Sequence, residues 1–74
     1  MGSIKNEKIV AALNEYNIAL QHLKRNNSKA ARVHLVRALR LLEEAYKSST
    51  GIDRIMAIRL FEKVSDVLNN LEMD

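Results

Sequence analysis

The chain has 74 residues, 47 % hydrophobic, 28 % charged and 4 % aromatic, with no proline, no cysteine and two glycines. A chain of this length buries only roughly 60 % of the surface its unfolded form exposes, so it holds one small domain, spends nearly every large apolar residue on its core, and has little room for an internal active-site cavity. Absence of cysteine removes disulfides, thiolate metal sites and a cysteine nucleophile together, which suits a reducing compartment. Twelve Lys/Arg against nine Asp/Glu give a formal charge of +3, mostly interspersed rather than gathered on one face as nucleic-acid domains gather it. No stretch approaches the roughly 18 consecutive apolar residues of a membrane span, and Met1-Gly2-Ser3-Ile4-Lys5 lacks a signal-peptide core. The expected setting is cytoplasmic, without direct membrane insertion. Met1-Gly2-Ser3 reads as a cloning remnant or disordered start, which would make residues 4–74 a single domain excised from a longer protein.

Ala, Leu, Lys, Arg and Glu favour helix throughout, and only Asn26-Asn27-Ser28 and Ser48-Ser49-Thr50-Gly51 interrupt the pattern. The predicted helices run over about 4–25, 28–48 and 51–72. Asn27 or Ser28 can cap the second, and Thr50 with Asp53 has the spacing of a capping box for the third. Connections this short join antiparallel neighbours, so the fold class is all-α, an up-down-up three-helix bundle. In the first helix Ile9, Leu13, Tyr16, Leu20 and Leu23 form one apolar stripe with Ala12 and Ala19 beside it. The second alternates small and large, Ala31, Leu35, Ala38, Leu42 and Ala45, flanked by Leu39 and Tyr46, a pattern that lets another helix come close. The third carries Met56, Leu60, Val64, Val67, Leu68 and Leu71 over an arc widened by Phe61, and is expected to be the most buried of the three.

At about 100° per residue a few large apolar residues fall outside these stripes. Val10 and Ile18, with Asn14 between them, form a second line on the first helix. Val33 and Val36 lie among Lys29, Arg37 and Arg40; Ile55 and Ile58 lie near Arg59, Glu62 and Asp66. Single exposed aliphatics are common on any protein, but several pairs on one small domain point to at least one binding groove. The second helix carries five basic and two acidic residues; the third carries Arg54, Arg59 and Lys63 against Asp53, Glu62, Asp66, Glu72 and Asp74. A groove between them has one basic and one acidic wall, which suits an amphipathic peptide helix of mixed charge. The same charges also offer four-residue pairs, Arg40 with Glu44 and Glu43 with Lys47, which would stabilise the helix surface alone.

No chemistry of its own is expected. His22, on the polar side of the first helix, and His34, at the edge of the second helix's core stripe, lack metal-ligand spacing, so no metal and no cofactor are implied. The serines sit in turns or caps, Glu43 and Glu44 point about 100° apart, and there is no glycine-rich phosphate loop, so neither an enzyme nor a small-molecule site is indicated. Asn26-x-Ser28 matches a glycosylation acceptor by chance in a chain with no secretory signal. Lys24, Arg25, Lys29, Arg32, Arg37 and Arg40 could form a basic strip, yet no exposed aromatics accompany it for base stacking and no helix-turn-helix is recognisable, which disfavours nucleic acid.

The run Ser28-Lys-Ala-Ala31-Arg-Val-His-Leu35-Val-Arg-Ala38-Leu-Arg-Leu-Leu42-Glu-Glu-Ala45-Tyr-Lys47 resembles the central helix of MIT domains, the microtubule-interacting and trafficking modules, with Ala31, Leu35, Ala38, Ala45 and Lys47 in the family's places. Ala19-Leu20-x-x-Leu23-Lys24 is similar to the end of that family's first helix, and Ile58-Arg-Leu60-Phe61-Glu-Lys63-Val64-x-x-Val67-x-x-x-Leu71 to its third. The resemblance implies a non-catalytic adaptor, often at the N-terminus of an AAA-type ATPase that remodels ESCRT filaments or severs microtubules. It also implies recruitment of short helical or extended tail motifs, such as those of ESCRT-like filament subunits, between the second and third helices or between the first and third. The positions that match the former groove are Val33, Val36, Arg40, Ile58, Glu62 and Asp66, and the leftover aliphatics add Ile55. Other expectations are self-association, as a weak homo-oligomer through Val10, Asn14 and Ile18, and a helical chaperone with a broad apolar surface.

Overall fold

Capping side chains decide where the helices begin. The computed structural model describes residues 6–73, with only the backbone of Met73; Met1-Gly2-Ser3, the predicted first turn at residues 4 and 5, and Asp74 lie outside them. Helix α1 spans Glu7–Lys24, α2 Ser28–Ser48 and α3 Gly51–Met73. The Asn6 carboxamide oxygen accepts from the backbone N–H of Lys8 at 2.9 Å and of Ile9 at 3.4 Å, and Asn27 does the same for Ala30 at 3.2 Å. Each satisfies amides that a helix start leaves without partners.

The end of α1 is closed by its backbone. Asn27 N–H donates to His22 C=O at 2.9 Å and Asn26 N–H to Leu23 C=O at 3.0 Å, the paired bonds of a Schellman motif. That motif requires a left-handed residue, and Asn26 supplies it at φ 60°. Helix α3 opens on Gly51, also left-handed at φ 61°. No Thr50–Asp53 capping box forms among the described residues, so glycine's freedom, rather than a reciprocal cap, turns the chain into α3.

The architecture is an all-α three-helix bundle in which α2 packs against both neighbours while α1 and α3 meet only slightly. The row Ala31, Leu35, Ala38, Leu42 and Ala45 is fully buried along α2, against Ile9, Ala12 and Ala19 from α1 and Ala57 and Val64 from α3. The alanines matter because a methyl group lets a neighbouring backbone approach while the leucines between them fill the space that remains. Leu13, Tyr16, Leu23, Leu60, Phe61, Val67, Leu68 and Leu71 are half-buried around this centre. The third helix is therefore not the most buried; α2 is, because it alone has a partner on two sides. Without close support from α1, the broad apolar arc of α3 stays partly open.

Surface ties reinforce the α1·α2 seam. Lys8 Nζ lies 2.8 Å from Glu44 Oε1, and this hydrogen bond and charge hold the Glu44 carboxyl below its usual range. The small stabilisation from that lowered pKa is present above the ordinary carboxylate range and is lost as pH falls through the Glu44 value. Glu44 is thus taken by α1. The expected surface pairs Arg40–Glu44 and Glu43–Lys47 do not close among the described residues.

Two substitutions check this account. Asn26→Gly removes the steric cost of a left-handed Cβ and is expected to stabilise the fold by about 0.5 kcal/mol, read as a melting temperature raised by roughly 2–4 °C. Leu35→Ala leaves a cavity at the centre of α2 and is expected to cost about 2–5 kcal/mol in urea unfolding, a large part of what a domain this small has.

Candidate functional site

The loose fit of α3 leaves a furrow. Antiparallel packing sets the last two turns of α2 beside the first half of α3, and between them an open hollow of about 290 Å³ is lined by Leu42, Glu43, Tyr46 and Lys47 from α2 and Ala57, Ile58, Phe61 and Glu62 from α3. Its floor is apolar. Arg54 adds to the rim, its guanidinium carbon 4.2 Å from the centroid of the Tyr46 ring, a cation–π distance.

The rim has polarity along the helices. Lys47 lies one turn after Glu43 on α2, and Arg54 lies two turns before Glu62 on α3. Because the helices run in opposite directions, Lys47 and Arg54 fall toward one end of the furrow and Glu43 and Glu62 toward the other. The charge difference therefore runs along the furrow, whereas the sequence suggested a basic wall facing an acidic one.

Of the positions singled out in the sequence, Ile58 and Glu62 line the furrow. Val33 and Arg40 are exposed on the side of α2 turned away from its buried alanines, and Val36 is half-buried beyond the furrow. Ile55 and Asp66 on α3 are exposed outside it, as are Val10, Asn14 and Ile18 on α1. The α2 wall is instead built by Leu42, Glu43, Tyr46 and Lys47. Tyr46 was visible in the sequence as a flank of the core stripe, and so was Phe61, but periodicity alone assigns such residues to the interior.

A second cluster lies on the α1·α2 seam. Glu15 Oε1 is 3.0 Å from His34 Nδ1, Arg37 Nη1 is 4.0 Å from the same oxygen, and the His22 and His34 rings stack with centroids 5.4 Å apart at an interplanar angle of 14°. His22, expected on a polar face, is half-buried by this stacking. The cluster reads as a structural clasp: Glu15 accepts from the imidazole and attracts the guanidinium, so the polar groups at the seam have partners. No group of three or more His, Asp or Glu among the described residues could hold a metal ion. No helix among them is long and apolar enough to cross a membrane.

Comparison with known proteins gives no match, whether against family models, curated proteins or solved structures.

One buried polar atom stands out at the hinge of the α2·α3 pair. Ser49 is 8 % exposed and its Oγ has no hydrogen-bond partner among the described residues. An unpaired buried hydroxyl costs about 1–3 kcal/mol of desolvation, so Ser49→Ala is expected to stabilise the fold by about 1 kcal/mol, measurable as a raised urea midpoint with an unchanged slope.

Proposed function

We propose that this chain is a non-catalytic protein-interaction domain that takes a short amphipathic segment of a partner into the furrow between α2 and α3. The supporting observation is the furrow itself: an open apolar hollow walled by Tyr46, Ile58 and Phe61 over the buried Leu42 and Ala57, and bounded by charge of opposite sign at its two ends. Its volume is at the lower edge of ligand pockets, which run from about 300 Å³ upward, so it suits one or two anchoring side chains of a helix rather than a whole small-molecule substrate. Partner residues of complementary charge would meet Lys47 and Arg54 at one end and Glu43 and Glu62 at the other, fixing direction more than adding affinity.

The resemblance of α2 and α3 to MIT domains supports the same reading and extends it. On that basis the partner is the tail of an ESCRT-like filament subunit, and the domain recruits an AAA-type ATPase or a similar machine in the cytoplasm. The affinity expected of so small and partly polar a contact is micromolar, about −7 to −8 kcal/mol.

The test uses a synthetic peptide of roughly 20 residues, long enough for a helix of about 30 Å, with leucines at three- and four-residue spacing and charges of both signs. Titrated into labelled protein, it is expected to shift the amide signals of Tyr46, Ile58, Phe61 and Glu62. Ile58→Asp should weaken binding at least about tenfold, as a charge placed at a buried apolar contact does, while helical circular dichroism stays unchanged. Signals that stay still at saturating peptide, or binding undiminished in Ile58→Asp, would refute this furrow.

A further inference from the structure

Seven large hydrophobic side chains are exposed among the described residues, and four of them, Tyr46, Ile52, Ile55 and Ile58, belong to the stretch where α2 ends and α3 begins. The three isoleucines are 71 %, 52 % and 43 % exposed, so this end of the bundle presents apolar knobs as well as the furrow beside them. Scattered aliphatics need no explanation, but Ile58 is both an exposed knob and a wall of the hollow, and that does.

We propose that the occupant of this face is a second copy of the same chain, paired across a two-fold axis near Ile58 with the two α3 helices antiparallel. Charge order carries the inference. Along α3, Arg54 and Glu62 lie four residues to either side of Ile58, and three residues spaced by four stay on one stripe about 80° wide. A stripe that reads basic, apolar, acidic is its own complement when reversed. In an antiparallel pair centred on Ile58, Arg54 of each copy comes opposite Glu62 of the other, so one register makes two charge pairs. A parallel pair in register sets like charges together.

The apolar parts agree with this register. Ile58 stands at the middle of the stripe, so the Ile58 side chains of the two copies meet on the two-fold axis, each beside the furrow wall it forms with Phe61. The same side chain thus covers its own copy, as an isologous contact allows. Arg54 is already held in place: its guanidinium lies over the Tyr46 ring, and stacking by the face leaves the N–H edge free to meet a carboxylate. A heterologous arrangement would leave one set of isoleucines uncovered and would continue into a chain of copies. The isologous one closes.

The furrow is the one assigned above to a peptide, and the two occupants would exclude each other. The pairing does not rest on the peptide reading, because it needs only the chain's own knobs and charges.

Sedimentation equilibrium on the intact chain, at low salt and from about 5 µM to about 1 mM, is expected to show a monomer passing to a dimer and no larger species. Arg54→Glu and Glu62→Arg singly should each weaken the dimer about tenfold by setting like charges together, and the double variant Arg54→Glu/Glu62→Arg should return to within about threefold of the parent chain. Both Arg54→Glu and the double variant lose the stacking on Tyr46, so recovery in the double reports the intermolecular pair alone. Val10→Asp, on the outer face of α1, should leave the dimer unchanged, with helical circular dichroism confirming that every variant is folded. A monomer at the highest concentration, a double variant no better than the singles, or a dimer abolished by Val10→Asp would overturn the proposal.

Discussion

The whole bundle depends on how closely two helices approach α2. Its buried row alternates methyl groups with leucines, Ala31, Leu35, Ala38, Leu42 and Ala45, and this alternation lets α1 and α3 both pack on it. A larger residue at Ala38 would push a neighbour outward by the length of its side chain and forfeit dispersion contacts along the seam. Because α2 takes both partners, α1 and α3 have little contact with each other. The core is a central helix with two flanks rather than three equal members around one axis.

The furrow follows from that asymmetry. A helix with partners on two sides can bury an arc of residues, but one that rests on a single partner leaves the edges of its arc at the surface. The edges of α3 carry Ile58 and Phe61 on the side beside the end of α2, where they form a wall instead of an interior. Helix α1 cannot cover them, since its clasp of Glu15, His22, His34 and Arg37 and the Lys8–Glu44 pair hold it on another flank of α2. The same packing that makes α2 the centre thus keeps the α2·α3 side open.

Much of this was legible in the sequence, and the part that was not has a physical cause. The second helix, a cap at Asn27 or Ser28 and the buried row follow from spacing and side-chain chemistry, which are local, and the structure gives the cap to Asn27. The Schellman closure at Asn26 is carried by backbone bonds, and its only sequence signal is an asparagine, a residue that tolerates the left-handed conformation but serves caps and turns equally well. The stacked histidines and the Glu15–His34 contact depend on the rotation of α1 against α2, which a single helix's pattern does not contain. The furrow was found in part, through Ile58 and Glu62, because the residues left over from α3's stripe lie beside it. Its α2 wall was not found, since leftover residues lie farthest from the core: Val33 and Arg40 point away from both partners. Residues at the margin of a core stripe, such as Tyr46 and Phe61, are the ones that line a groove when helices diverge.

Exposed isoleucines on a domain this small oppose its own stability. Burial of a large aliphatic contributes about 1.5–3 kcal/mol, and a chain of this length is stable by only about 0.05–0.15 kcal/mol per residue. Turning Ile55 or Ile58 into the interior would therefore count heavily, yet the short Ser49-Thr50 connection and the left-handed Gly51 fix the rotation at which α3 starts. With that rotation set, the apolar side chains of its first turns cannot be buried by the chain itself. Only a surface from outside can remove them from water, and the charges at Arg54, Lys47, Glu43 and Glu62 restrict which surface, and in which direction, can do so.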